Sequence, residues 1–233
     1  MRESKSTIAL CPMPDAESTS SQLPSESGAA DVGASLLRKR PKPGERRVQI
    51  LQALANMLEQ PGAERITTAA LAARLAVSEA ALYRHFASKA QMFEGLLDFI
   101  EQSVFLLINQ IAERESAAGT VGPRHAAKVL GMLMQFAEKN PGMTRVMVGD
   151  ALVFENERLQ QRMNLFFDKI EAALRQCLRG AGDLSDSATP MADAQVRASV
   201  LTAFLVGRLQ RFARSGFRRL PSEHLDASLA LIL

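Results

Sequence analysis

From Gly44 onward the apolar residues of this chain recur at steps of three and four, and the runs are cut only by clusters containing proline and glycine. That period lays one apolar stripe along each of a series of α-helices, and it does not match the strict alternation of a half-buried strand. Composition adds one point: there is one Tyr and no Trp, and Val, Ile and Thr are sparse beside the Ala and Leu that favour helices. An all-α fold is expected.

The interruptions divide the chain. Residues 1–35 are dense in Ser, Pro, Glu, Ala and Gly without an apolar period, and Arg38-Lys39-Arg40-Pro41-Lys42 follows. A segment of that kind buries too little surface to offset the entropy of ordering, so 1–42 reads as a disordered tail ending in a basic arm. A first helix is expected from about residue 44, carrying Ile50, Leu51, Leu54, Met57 and Leu58 up to the stop at Pro61-Gly62. A second begins at Thr67 or Thr68 and runs through Leu71 and Leu75, Ala76-Val77 turn the chain, and Ser78 caps a short third helix with Leu82 and Phe86 inward. Residues 43–89 thus form one expected domain and 90–233 another. The second holds a long helix over about 89–115, one over 124–138 ending at Asn140-Pro141-Gly142, and a shorter one over 143–149. Long segments over 155–179 and 191–214 flank a linker of turn formers, and a short amphipathic stretch covers 222–233.

Several functional classes are excluded. Cys11 and Cys177 have no C-x-x-C spacing and no third partner, which argues against a disulfide framework or a zinc site. No apolar run reaches the roughly 18 residues of a membrane span, and the N-terminus lacks the apolar core of a signal peptide, so a cytoplasmic protein without a membrane partner is expected. His125 and His224 stand without carboxylates at metal-ligand spacing, and there is neither a G-x-S-x-G elbow nor a phosphate-binding glycine loop. No catalytic residue, metal or cofactor is expected, and the chain does not read as an enzyme.

Charge points to a partner. Residues 38–89 hold ten bases against four acids, while the whole chain carries +3. Positive charge gathered in one region suits a polyanion. Within it, residues 67–86 have the pattern of a helix-turn-helix: two short helices, a tight turn, and small residues (Ala69, Ala70, Ala72, Ala73) where the helices approach. Its second helix can enter a major groove while capped helix starts face phosphates.

Thr67-Thr68-Ala69-Ala70-Leu71-Ala72, followed by Val77-Ser78-Glu79-Ala80-Ala81-Leu82-Tyr83-Arg84-His85-Phe86-Ala87-Ser88-Lys89, resembles the DNA-binding motif of TetR-family regulators. The resemblance implies a three-helix DNA-binding domain on a helical C-terminal domain that dimerises through its last long helices. Thr67, Thr68 and Ser78 would hold phosphates, and Ala80, Ala81, Tyr83 and Arg84 would line the groove. His85, Lys89 and Tyr83 would reach sugar-phosphate, and Arg46, Arg47 and Arg65 would add backbone or minor-groove contacts. One departure is Ala76, where many such turns place Gly; a left-handed alanine costs about 1 kcal/mol over glycine.

Arg65-Ile66-Thr67-Thr68, Asp98-Phe99-Ile100-Glu101, the run from Glu138 to Arg145 and the run from Phe154 to Gln160 extend the likeness to a nucleoid-occlusion branch of that family. What this implies is a nucleoid-associated homodimer, one or more per palindromic duplex DNA site, that when bound antagonises polymerisation of the tubulin-like division GTPase FtsZ. Phe99, Met132, Lys139 and Asn140 match that branch's FtsZ-binding positions, whereas Leu107 stands where a basic residue is usual. Dimerisation is expected through Leu159, Met163, Phe166, Phe167, Ile170 and Leu174 of the first long C-terminal segment and Val200 and Phe204 of the second, because their apolar faces are wider than one neighbour needs. The alternative reading is a TetR-type repressor released by a small molecule, with Met132, Met134, Phe136 and Met147 around a cavity.

Overall fold

The stripe of Ile50, Leu54 and Leu58 is buried in a computed structural model of the chain, on the inner face of α1 (Glu45–Leu58). The structure describes residues 44–60, 66–117, 122–153, 155–179 and 190–233; the tail and basic arm expected over 1–42 lie outside them. α2 (Thr68–Arg74) packs against α1, and α3 (Glu79–Tyr83) against α2; they bury Leu71, Ala72 and Leu82 with Phe86 just beyond. The turn between them puts Ala76 in the left-handed region at φ 52, the strained conformation anticipated for that residue.

The 29-residue α4 (Lys89–Ala117) is about 44 Å long and runs without interruption from the helix-turn-helix into the rest of the molecule. By length and composition it is apolar enough to cross a membrane, contrary to the reading of the sequence. Its apolar side is nevertheless taken: Met92, Phe93, Leu96, Leu97, Ile100, Val104 and Ile108 are buried in the common core. It is a core helix, packed on α1, on α5 (Pro123–Lys139) and on helices further along the chain.

α5 ends at its C-cap Asn140 as expected, but α6 (Pro141–Met147) starts at Pro141, two residues before the expected 143. Proline is well suited to a first helical position, where its missing N–H has no partner to lose. The corner is stitched by Asn140 Nδ2, which donates to the Phe136 carbonyl at 2.7 Å, and by Thr144 Oγ1, which donates to the Ala137 carbonyl at 2.9 Å. A short 3-10 turn (Asp150–Leu152) leads to α7 (Glu157–Arg179). α8 (Pro190–Arg214) returns antiparallel to it, because Gln195 near its start bonds both Glu171 and Arg175 near the end of α7. α9 (Leu225–Ile232) closes the described chain.

One hydrophobic cluster runs from Ile50 to Leu229, through the helix-turn-helix and the C-terminal helices alike. Cys177 is free inside it, and burial pushes its thiol up to about 11, so it is an inert core residue.

Candidate nucleic-acid interface

Both short helices of the motif start on hydroxyl caps, as their sequences require. Thr67 Oγ1 accepts from the Ala70 N–H at 3.1 Å and Ser78 Oγ from the Ala81 N–H at 3.3 Å. Each cap fixes its helix start and leaves a hydroxyl hydrogen for a phosphate oxygen. Tyr83, Ala80 and Arg84 are exposed on α3 and its C-cap, and Ala81 is half-buried beside them. Leu82 and Phe86 lie in the core.

Other assigned side chains are already engaged. Thr68 Oγ1 donates to Glu79 Oε2 at 2.6 Å and accepts from the Tyr83 hydroxyl at 3.4 Å, a chain across the motif in which Glu79 had no assigned part. Arg47 lies 4.2 Å above the Phe86 ring and donates to the His85 carbonyl at 2.9 Å, which fixes α1 to the end of α3. Arg46 bonds Gln49 at 2.9 Å, and the half-buried His85 contributes that carbonyl. Arg65 lies outside the described residues.

Lys89 differs most from its expected role. Its ammonium bonds Glu155 at 2.5 Å and sits 5.7 Å from the Phe93 ring, so the lysine that ends the motif is tied to the segment leading into α7. Spacing cannot reveal a pair separated by 66 positions. A phosphate arriving at Lys89 must displace Glu155, which makes two opposite results the expected outcome. Lys89→Ala weakens DNA binding and flattens its salt dependence by up to about one unit. Glu155→Gln removes the competitor and tightens binding by up to about fivefold, the scale of a partly exposed ion pair. Anisotropy titrations at several salt concentrations measure both, and weakening by both variants would mean that the pair only holds the fold.

Of the positions expected to meet FtsZ, Lys139 is exposed on the last turn of α5. Asn140 follows it, with its amide committed to Phe136. Phe99 and Met132 are partly buried against the core, on α4 and α5 respectively, which leaves Phe99 less open to a partner than Lys139. Leu107 is half-buried on α4. The cavity that the alternative reading requires near Met134 and Met147 is taken by packing, since both are buried in the core cluster, and Met132 and Phe136 lean against it. The open groove of about 850 Å³ lies elsewhere, between α4 and α7, where Arg162 pairs with Asp98 and Glu101, and Lys169 with Glu101.

The expected dimer residues need correction. Leu159, Met163, Phe166, Ile170 and Leu174 face the protomer's own core at 5% exposure or less, and Phe167 is partly buried against it. They are consumed by packing on α4, α5 and α8 and are unavailable to a partner. Val200, at 46% exposure, does face out, as do Val196 and, on α7, Leu165. Phe204 is half-buried beneath Arg208.

Residues 50–96 match the family model described as bacterial regulatory proteins, tetR family, and residues 124–233 match the SlmA-like model of tetracyclin repressor-like C-terminal domains. The chain is 49% identical over 182 residues to the nucleoid occlusion factor SlmA of Idiomarina loihiensis, covering 78% of this chain and 90% of that one. It is 48% identical over 188 residues to SlmA of Vibrio cholerae, covering 80% and 93%. Solved structures share the fold at low identity. The regulator FadR of Bacillus subtilis in complex with stearoyl-CoA superposes with a TM-score of 0.63 at 14% identity, over 79% of this chain and 96% of that one. A Rhodococcus transcriptional regulator gives 0.63 at 21%, over 80% and 95%.

Proposed function

The chain belongs to the TetR family, in its SlmA branch of nucleoid occlusion factors, and from that membership we propose that it binds palindromic duplex DNA as a homodimer and, once bound, antagonises FtsZ assembly. It is a DNA-binding regulator and not an enzyme. The proposal places it in the cytoplasm on the nucleoid, where DNA and the division GTPase are both accessible. The observation that carries it is identity near one half through the DNA-binding and the C-terminal portions together, since a likeness confined to the helix-turn-helix would leave the output open. The buried state of Met134 and Met147 disfavours the ligand-released repressor.

The geometry supports a coupling between the two partners. Lys89 and Phe99 stand on one continuous helix, about 15 Å apart along its axis, so a shift of α4 on DNA carries the Phe99 surface with it. If DNA strengthens FtsZ binding in this way, FtsZ strengthens DNA binding by the same factor. Lys139 supplies the exposed charge of that surface and selects an acidic segment.

In the dimer we assign the contact to the outward stripe of α8, Val196, Val200 and Ala203, with Leu165 of α7. Gly207 continues the stripe with open space where a Cβ would stand, leaving room for a second helix to approach closely. Two such helix pairs form a four-helix bundle about a twofold axis.

Sedimentation of FtsZ polymers, with and without genomic fragments that the protein selects, tests the function. The wild type is expected to deplete the polymer pellet only with DNA, and Lys139→Asp to lose that effect while binding the fragments with unchanged affinity. Full antagonism by Lys139→Asp and by Phe99→Ala would move the partner elsewhere on the molecule. Equal loss of DNA binding would mean a damaged fold.

A further inference from the structure

Six arginines and no acid lie between residues 194 and 222, a second basic run that the helix-turn-helix leaves unused. Arg208 is engaged internally, donating to the Glu223 carbonyl and Ser228 Oγ, and Arg197 reaches toward the Leu233 carbonyl. The other four are exposed: Arg211 and Arg214 in the last turn of α8, Arg218 and Arg219 just beyond it, with Arg218 Nε donating to the Ser215 carbonyl at 2.9 Å and its terminal nitrogens still outward. None of the four takes part in an ion pair among the described residues. Charge at the end of a helix complements its dipole, which accounts for the first two but not for Arg218 and Arg219.

The segment that carries them is built, not loose. Gly216 and Phe217 both take left-handed conformations, at φ 64 and 62. The Phe217 ring packs edge-on against Phe212 at 5.2 Å and lies 4.9 Å from the Arg145 guanidinium. Ser215 Oγ accepts from the backbone N–H groups of Arg218 and Arg219 at 3.1 and 2.9 Å. Arg145 also donates to the Gln60 carbonyl at 2.8 Å, so the patch adjoins the C-terminal end of α1. The opposite end of α1 is fixed beside α3 by Arg47. The 14 residues of α1, about 21 Å, therefore separate the arginines from the reading face.

We propose that Arg211, Arg214, Arg218 and Arg219 bind the phosphate backbone of a second duplex DNA segment, distinct from the one that α3 reads, so that the protein bridges two stretches of DNA. The fork of a guanidinium matches a phosphate bidentately, and all four positions are arginine. An acidic peptide gains most from a buried apolar anchor beside the charge, and a lipid surface from an apolar face to insert. The one large apolar side chain exposed beside the patch is Leu220, at its edge. The arginines adjoin the end of α1 opposite the one fixed beside α3, which favours a separate segment over the phosphates beneath the reading helix.

The proposal rests on DNA as the ligand of α3 but not on FtsZ, and the test separates the two. A bead-tethered genomic fragment that the protein selects is saturated with the full-length chain, washed, and offered a fluorescent random-sequence 30-bp duplex. Capture of the second duplex is expected, falling at least about tenfold in the fourfold Arg→Gln variant and persisting in the fourfold Arg→Lys variant, with binding to the tethered fragment unchanged in both. Thermal melts of the variants confirm that they fold. Absence of capture by the wild type, or equal capture by the Arg→Gln variant, overturns the proposal. So does displacement of the second duplex by polyglutamate or phosphatidylglycerol vesicles at lower charge concentration than by unlabelled duplex, which would reassign the patch to an acidic protein or a membrane. If the α3 assignment is wrong instead, Thr67→Ala with Tyr83→Ala leaves the tethered fragment bound.

Discussion

Replacing Gly142 by alanine is expected to destabilise the protein by about 3 kcal/mol, more than a surface methyl ever costs, and to lower its melting temperature by roughly 10 °C. The reason is the approach of α6 to α1. A Cβ at residue 142 would overlap the Ala55 carbonyl oxygen and lie 2.9 Å from the carbonyl carbon and 3.2 Å from Glu59 Cγ. The obstacle is backbone in the last turn of α1, which cannot rotate aside as a side chain can, so α6 must withdraw. Withdrawal breaks the Arg145 bond to Gln60. It also loosens Met143 and Val146 from the core they share with Ala55. Gly131 in α5 is the control: a methyl there meets only Leu225 Cδ2 at 3.7 Å, ordinary contact, and helix propensity favours alanine by up to about 1 kcal/mol. Thermal melts of both variants decide the matter, and a Gly142→Ala protein as stable as Gly131→Ala would refute the close approach.

How much of this was readable beforehand depends on the range of the interaction. Thr67 and Ser78 were legible as caps because a cap is a contact three residues long, and the stripe of α1 because helical period is local. Ala76 was legible as strained because a short turn between two such helices needs a left-handed residue wherever glycine is missing. Asn140-Pro141-Gly142 was legible as a stop, while the start of α6 at Pro141 was not, because a proline that follows one helix can also open the next. Lys89 with Glu155 and Thr68 with Glu79 join elements that folding brings together, and neither leaves a periodic trace. The direction of α7 was illegible for a further reason. A wide apolar face shows that much surface must be covered, but not how the covering divides between the chain's own helices and a second copy.

That division yields the other large effect. Val196→Arg together with Val200→Arg is expected to split the dimer at micromolar concentration while leaving the protomer folded, because both side chains stand exposed on the outer stripe of α8. Two guanidinium groups facing their symmetry mates across an apolar bundle are desolvated without partners, a cost of several kcal/mol. Binding to a palindromic fragment then falls by about 10²- to 10⁴-fold, since the second half-site is no longer engaged intramolecularly. Phe166→Ala gives the opposite pair of results. Its ring is fully buried between Phe105 and Phe167, so the variant loses about 3–5 kcal/mol of stability, while whatever remains folded still dimerises. Sedimentation velocity read beside thermal melts distinguishes the two. Monomers from Phe166→Ala, with an intact dimer in the double arginine variant, would return the interface to the inner face of α7 and require that face to open before the subunits meet.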